Sequence, residues 1–193
     1  VVLARAEIAD INGVPVRIPC AEDHFRILAV HWLTDGGAHR GRLWDFYHLL
    51  TNRRRDFDWN RCFEDAGPVR SEWLLRIVAL TVRECGLASD DLPFASDARL
   101  SVPAWMNSAL QKEWNSGVDL MPLHIFLRKP KELAAQIRKR LPPNPIQATV
   151  DVEGRMDNTG RLKYQVGSFL KRIPPLFSRV AIAMRVSNDE RKH

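Results

Sequence analysis

Two histidines and an aspartate stand out in "HFRILAVHWLTDGGAHRGRLWDFYHLL", residues 24–50, because their side chains can hold charge or move protons. His24 and His31 fall on one apolar-striped segment, and Asp45 falls inside the next. A carboxylate within a greasy helix needs a partner. Buried alone, it costs several kcal/mol or takes up a proton. Asp45 is therefore expected either to tie its helix to a neighbour through Arg42 or His31, or to face a cleft. Its place among Leu43, Phe46, Tyr47 and Leu50 puts it at the border of the apolar stripe, where partial burial is expected.

The elements that must position these residues follow from local patterns. "EIADINGVPVRI" reads as a β-hairpin: Asn12-Gly13 suits the positive φ angles of a type I′ turn, between Ile8 and the alternating Val14, Val16 and Ile18. An isolated hairpin is marginal in water, so it is expected to join a sheet or lie on helices. Glu22 and Asp23 suit the first turn of a helix whose stripe is Phe25, Leu28, Ala29, Trp32 and Leu33, with Gly36 as its stop. The next helix runs from about Gly41 to Thr51, and Asp58 can cap a short helix ending near Gly67. "PVRSEWLLRIVALTVRECG" is the clearest helix, opened by Pro68 and closed by Gly86. "VPAWMNSALQKEWNSG", a stretch around Leu120–Leu127 and "PKELAAQIRKRL" are also read as helical. Beyond Leu141, "PPNP" breaks the pattern. "IQATVDVEG" alternates like an edge strand near 146–152, and "RLKYQVGSFLKRI" suits one more basic helix. "LFSRVAIAMRV" fits helix or strand equally.

The fold class is thus mainly α: a helical, bundle-like domain with an N-terminal hairpin and a short edge strand near 146–152. Three regions are expected: a hairpin at 1–19, a helical domain at 20–141, and a basic extension with strand and helix at 142–193.

Composition narrows the function classes. Cys20, Cys62 and Cys85 form no CxxC pair, which favours reduced thiols and a cytoplasmic protein over disulfides or zinc. No run is long and apolar enough for a membrane span and no signal-peptide architecture occurs within the sequence, so a soluble, unsecreted protein is expected. With Val1 at its start and no sheet for the hairpin, the chain is expected to be a fragment. The net charge of +6 is uneven: residues 1–127 carry 14 Lys/Arg against 17 Asp/Glu, whereas residues 128–193 carry 15 against 6. Such a basic third permits weak, sequence-indifferent nucleic-acid binding, although a solvated basic face is the ordinary meaning of such charge. Walker-type loops, GxGxxG, HExxH and GxSxG are all absent. His39, His48, His124 and His193 lack metal-ligand spacing, so no metal ligands are assigned. The tryptophans, Trp32, Trp44, Trp73, Trp105 and Trp114 among them, are expected in the core.

The order "NGVPVRIPCAEDHFRILAVHWLTDGG…RLWDFYHLL…DFDWNRC" resembles the region that follows the catalytic core in a large, mostly uncharacterised nucleotidyltransferase family. The positions that carry the likeness run from Gly13, Val14, Pro15 and Val16 through Glu22, Asp23, His24, Leu28 and His31. They continue with Leu43, Asp45, Leu49 and Leu50 to Asp58 and Trp59, and the resemblance spans roughly residues 7 to 85. It implies a DNA polymerase β-like core whose Gly-Asp-x-Asp carboxylates bind Mg²⁺ or Mn²⁺, beside a helical C-terminal domain. Such enzymes transfer a nucleoside monophosphate from an NTP to an acceptor. No Gly-Asp-x-Asp occurs from Val1 to His193, nor a metal-binding carboxylate pair in that setting. This chain is therefore expected to be the helical half, inactive alone, with the N-terminal core as its missing partner. The resemblance gives His24, His31 and Asp45 supporting catalytic roles: a histidine orients phosphate, the aspartate orients the attacking group, and Arg42 binds substrate. The competing reading is a non-enzymatic helical module that takes nucleic acid or an acidic partner through its basic third.

Overall fold

The computed structural model describes residues 2–90, 92–97, 100–118, 120–121, 123–126 and 129–172. The undecided stretch 176–186 and His193 lie outside them, as does the side chain of His124.

The chain begins with the hairpin. Strands β1 (Glu7–Ile11) and β2 (Val14–Ile18) pair antiparallel, with Ile11 opposite Val14 and Glu7 opposite Ile18. Asn12 and Gly13 take φ of 54° and 82°, as the turn requires, and the Gly13 N–H donates to Asp10 Oδ1 at 2.7 Å. The expected cover is missing. Among the described residues β1 pairs only with β2, and Ile8 is 72% exposed, with Ile11 and Val14 also in solvent.

Helices build the rest: α1 (Ala21–Thr34), α2 (Leu43–Thr51), α3 (Trp59–Glu64), α4 (Gly67–Cys85), α5 (Ala104–Trp114), α6 (Pro130–Arg140) and α7 (Pro145–Asp151). Residues 162–172 form a further helix, α8. α4 is the hub: every residue from Glu72 to Thr81 is buried, and α1, α2 and α3 pack against it. Phe25, Trp32, Phe46, Trp73, Ile77, Met106 and Leu110 fill the core. Phe46 meets Phe25 and Trp32 edge-on at 5.9 and 6.4 Å, which adds roughly 1 kcal/mol per ring pair to the area they bury. The tryptophan expectation fails once: Trp44 is 49% exposed, against Tyr47 and His48 on the outer face of α2.

The predicted edge strand near 146–152 is a helix instead. Asn144 Oδ1 accepts the N–H groups of Ile146 and Gln147, Pro145 occupies the first turn, and the Thr149 hydroxyl donates to the Pro145 carbonyl at 2.7 Å. Ile146 and Val150 are two apart twice over but also i and i+4, so the sequence fits both periods, and the cap decides. α7 then packs on α1 and α5, and Ile146 and Met156 join the main core.

The loop after α7 is pinned to α4 and α5. Trp73 Nε1 donates to the Gly154 carbonyl, Arg76 Nε to the Met156 carbonyl, and the Arg161 guanidinium lies 4.5 Å over the Trp105 ring. Burial would raise the Asp157 carboxyl, but the Thr159 hydroxyl and N–H and the Arg161 guanidinium outweigh it and bring it down to about 2. The group ionises more readily in the folded chain than in the unfolded one. Its contribution is therefore whole above about pH 4 and is lost as the pH falls toward about 2. With the side chain 33% exposed, water screening holds this to the order of 1 kcal/mol. Asp157→Asn should flatten the acid limb of a melting-temperature profile over that window. A limb as steep as the parent's would remove Asp157 from this role.

Candidate functional site

The carboxylates that are truly buried in the motif region are not Asp45 but Glu22 and Asp23, in the first turn of α1. Asp23 is 1% exposed, and its Oδ1 accepts from Arg5 Nη2 at 3.0 Å and Arg26 Nη1 at 2.9 Å. The Cys20 thiol donates to Oδ2 at 3.5 Å. Glu22 Oε1 accepts the Asp58 backbone N–H at 2.9 Å, with Arg61 4.0 Å away. Burial pushes the Glu22 carboxyl up, but that N–H, its own backbone N–H at the helix start and Arg61 prevail, so it titrates below the usual range. Asp65, at the end of α3, binds Arg5 and Arg26 and is lowered chiefly by Arg5. This network fastens the root of the hairpin (Arg5) to α1 and α3. Motif residues Glu22, Asp23 and Asp58 meet here, although 35 residues separate Asp23 from Asp58.

Asp58 also caps α3 by accepting from the Arg61 N–H at 3.0 Å, as its position predicts. Arg5, Arg26, Arg61 and Asp65 were not legible as members. The i,i+3 spacings of Arg26 from Asp23 and of Arg61 from Asp58 were the local signals that pointed to two of them.

The residues assigned catalytic or substrate roles sit elsewhere. Asp45 is exposed in the first turn of α2 and makes no hydrogen bond or ion pair with any described residue. Its expected partial burial and its tie to Arg42 or His31 are both absent. The stripe Leu43, Phe46 and Leu50 turns toward α4 and leaves Asp45 outside, where it complements the positive helix end. Arg42 is exposed in a 3₁₀ turn (Arg40–Arg42) just before α2. His24 and His31, two helical turns apart, both point to solvent on α1. His31 Nδ1 lies 4.0 Å from Asp35, and His31 lines a groove of about 420 Å³ between α1 and α4. These four side chains offer imidazole, guanidinium and carboxylate groups to a ligand approaching from outside. No hydrogen bond or ion pair joins Asp45 to either histidine or to Arg42.

A divalent metal finds no seat among the described residues. No three His, Cys, Asp or Glu side chains are grouped to hold one. One Asp-x-Asp spacing does occur, Asp56-Phe57-Asp58, following Arg55 rather than Gly. Asp58 is spent on its cap, and Asp56 lies 3.4 Å from Arg54. The cysteines are free thiols, and burial raises Cys62, the deepest of them, to about 12, which leaves it unreactive.

Some of the cations of the last third are engaged inside the molecule. Lys139 pairs with Glu113, Arg140 donates to Gln136 and the Met121 carbonyl, Arg155 binds Glu72, and Arg172 binds Asp151. No helix among the described residues is long and apolar enough to cross a membrane. Comparison of the chain with protein-family models, with curated proteins and with solved structures gives no match.

Proposed function

We propose that this chain is the helical C-terminal part of a nucleotidyltransferase-like protein, which in full-length form transfers a nucleoside monophosphate from an NTP to an acceptor. The observation that carries this reading is the burial of Glu22 and Asp23, two residues of the family-like motif, at the root of a hairpin, where Glu22 accepts the backbone N–H of a third, the half-exposed Asp58. That network would hold the hairpin rigidly against the helices while both its edges, unpaired among the described residues, are available to a catalytic sheet. Mg²⁺ or Mn²⁺ and the NTP phosphates belong, in this reading, to the carboxylates of that core. Among the described residues no group of side chains fits the metal. The free cysteines support a cytoplasmic location. The basic third then makes only weak nucleic-acid contacts, since its intramolecular pairs leave fewer cations for phosphate.

Radiolabelled NTPs with Mg²⁺ or Mn²⁺ provide the test. The full-length protein should label an acceptor, and the 193-residue chain alone should not. Labelling by the chain alone would move the site into it. Failure of the full-length protein with every NTP would end the reading. Asp45→Asn gives the finer check. Exposed and unpaired, Asp45 should cost no more than about 0.5 kcal/mol of stability when replaced. A drop in full-length turnover at unchanged melting temperature is expected if it orients the attacking group. Normal turnover would retire Asp45 from the site.

A further inference from the structure

A cleft of about 690 Å³ opens between α3, the first half of α4 and the turn at 93–97. One wall is aromatic: Trp59 and Phe63 stack at 5.8 Å, and Phe94 meets them edge-on at 4.9 and 5.3 Å. Glu64, Glu72 and Arg155 also line it. Glu72 is 9% exposed, and its carboxylate is unevenly satisfied. Arg155 donates from both Nε and Nη2, yet both bonds land on Oε1. Oε2 is buried and has no hydrogen-bond partner.

A buried carboxylate oxygen without a donor is unstable until one reaches it. The choice of ligand follows from what each class would meet here. An anion would face Glu64 and Glu72. A neutral apolar molecule would fill the aromatic wall and leave Oε2 orphaned. A cationic donor on an apolar body answers both: it displaces the exposed Arg155, which frees the carboxylate to turn Oε2 to the cleft, and the aromatic wall attracts its charge. We propose that this cleft binds an organic cation, a protonated amine or guanidinium carried on an apolar body. Glu72 is its charge partner, and Trp59, Phe63 and Phe94 form its wall. Arg155, whose side chain is 64% exposed, is the internal cation with which that ligand competes. The inference stands independently of the nucleotidyltransferase reading and needs no NTP.

Benzylammonium, benzyl alcohol and phenylacetate, titrated separately into the 193-residue chain, make a matched test by calorimetry and amide NMR. Benzylammonium should bind with a dissociation constant on the order of 1 mM, shift the Ser71 and Glu72 amides and change tryptophan fluorescence. The other two should bind at least about tenfold more weakly, which is the discrimination expected of one charge-assisted contact. Glu72→Gln should weaken benzylammonium about tenfold. Arg155→Gln, which keeps an amide donor for Glu72 but no charge and whose melting curve is checked first, should tighten it by roughly threefold or more, since the competing cation is gone. Should Glu72→Gln fail to fold, Arg155→Gln decides alone: unchanged or weaker binding overturns the proposal. Equal binding of benzyl alcohol, amide shifts away from the cleft, or no saturable benzylammonium binding would overturn it too.

Discussion

Asp23→Asn is expected to destabilise the fold by about 3 kcal/mol, the lower end of the cost of breaking a buried ion pair. Asparagine keeps the shape of the side chain but not its charge. Its amide nitrogen would point a donor at a site where the two guanidiniums and the Cys20 thiol already donate. The partners moderate the loss: Arg5 and Arg26 keep 24% and 21% of their side chains in solvent, so water recovers part of what they lose. For a chain of this length the melting temperature should fall by roughly 6–12 °C. The hairpin should feel it most, because Arg5 leads directly into β1 and is the tie that holds it to the helices. Amide exchange across 7–18 should therefore accelerate more than exchange in α4. A variant that melts like the parent would show that the hairpin is anchored by something other than this carboxylate.

Gly37→Ala should have a comparable cost, about 3 kcal/mol, through two separate penalties. Gly37 has φ of 73°, in the left-handed region where a Cβ collides with its own backbone. An added Cβ would also overlap Leu110 Cδ2 and come within 3.0 Å of Trp32 Cη2. Both neighbours are fully buried and have nowhere to move. The Gly37 carbonyl accepts from Trp114 Nε1 at 2.8 Å, so a shifted backbone would loosen α5 as well. Denaturant unfolding should show a lower midpoint at unchanged slope. Gly41→Ala is the control: it has no neighbour near the new Cβ and should be close to neutral. Equal behaviour of the two variants would refute the packing explanation.

Local chemistry was legible wherever a signal acts within a few residues. The Asn12-Gly13 turn, the Asp58 cap, and the Pro68 and Gly86 bounds of α4 all lie within one turn of the atoms they control. The paired glycines at 36–37 end α1, as expected, and both take left-handed angles. The strand reading of 146–152 went wrong for the same reason in reverse. Its apolar spacing satisfies two periods, and the deciding Asn144-Pro145 cap was read as a mere break.

The sequence by itself determined most of the helices, several of their ends, and that a hairpin leads them, because capping, turn geometry and periodicity are short-range effects. Only the tertiary structure decided which carboxylates are buried. Asp45 looked like the buried one because it interrupts an apolar run, but α2 packs on α4 through Leu43, Phe46 and Leu50, which rotates Asp45 into water. Glu22 and Asp23 carried only the signal of acidic residues in a helix's first turn. They are buried because α3 and the segment before β1 close over them, bringing Arg5, Arg61 and the Asp58 N–H from 18 to 39 residues away. The orphaned Glu72 oxygen has the same origin, since its partner Arg155 arrives from 83 residues on. Burial and charge pairing depend on which surfaces meet in space, and nothing within one helical turn of a residue carries that information.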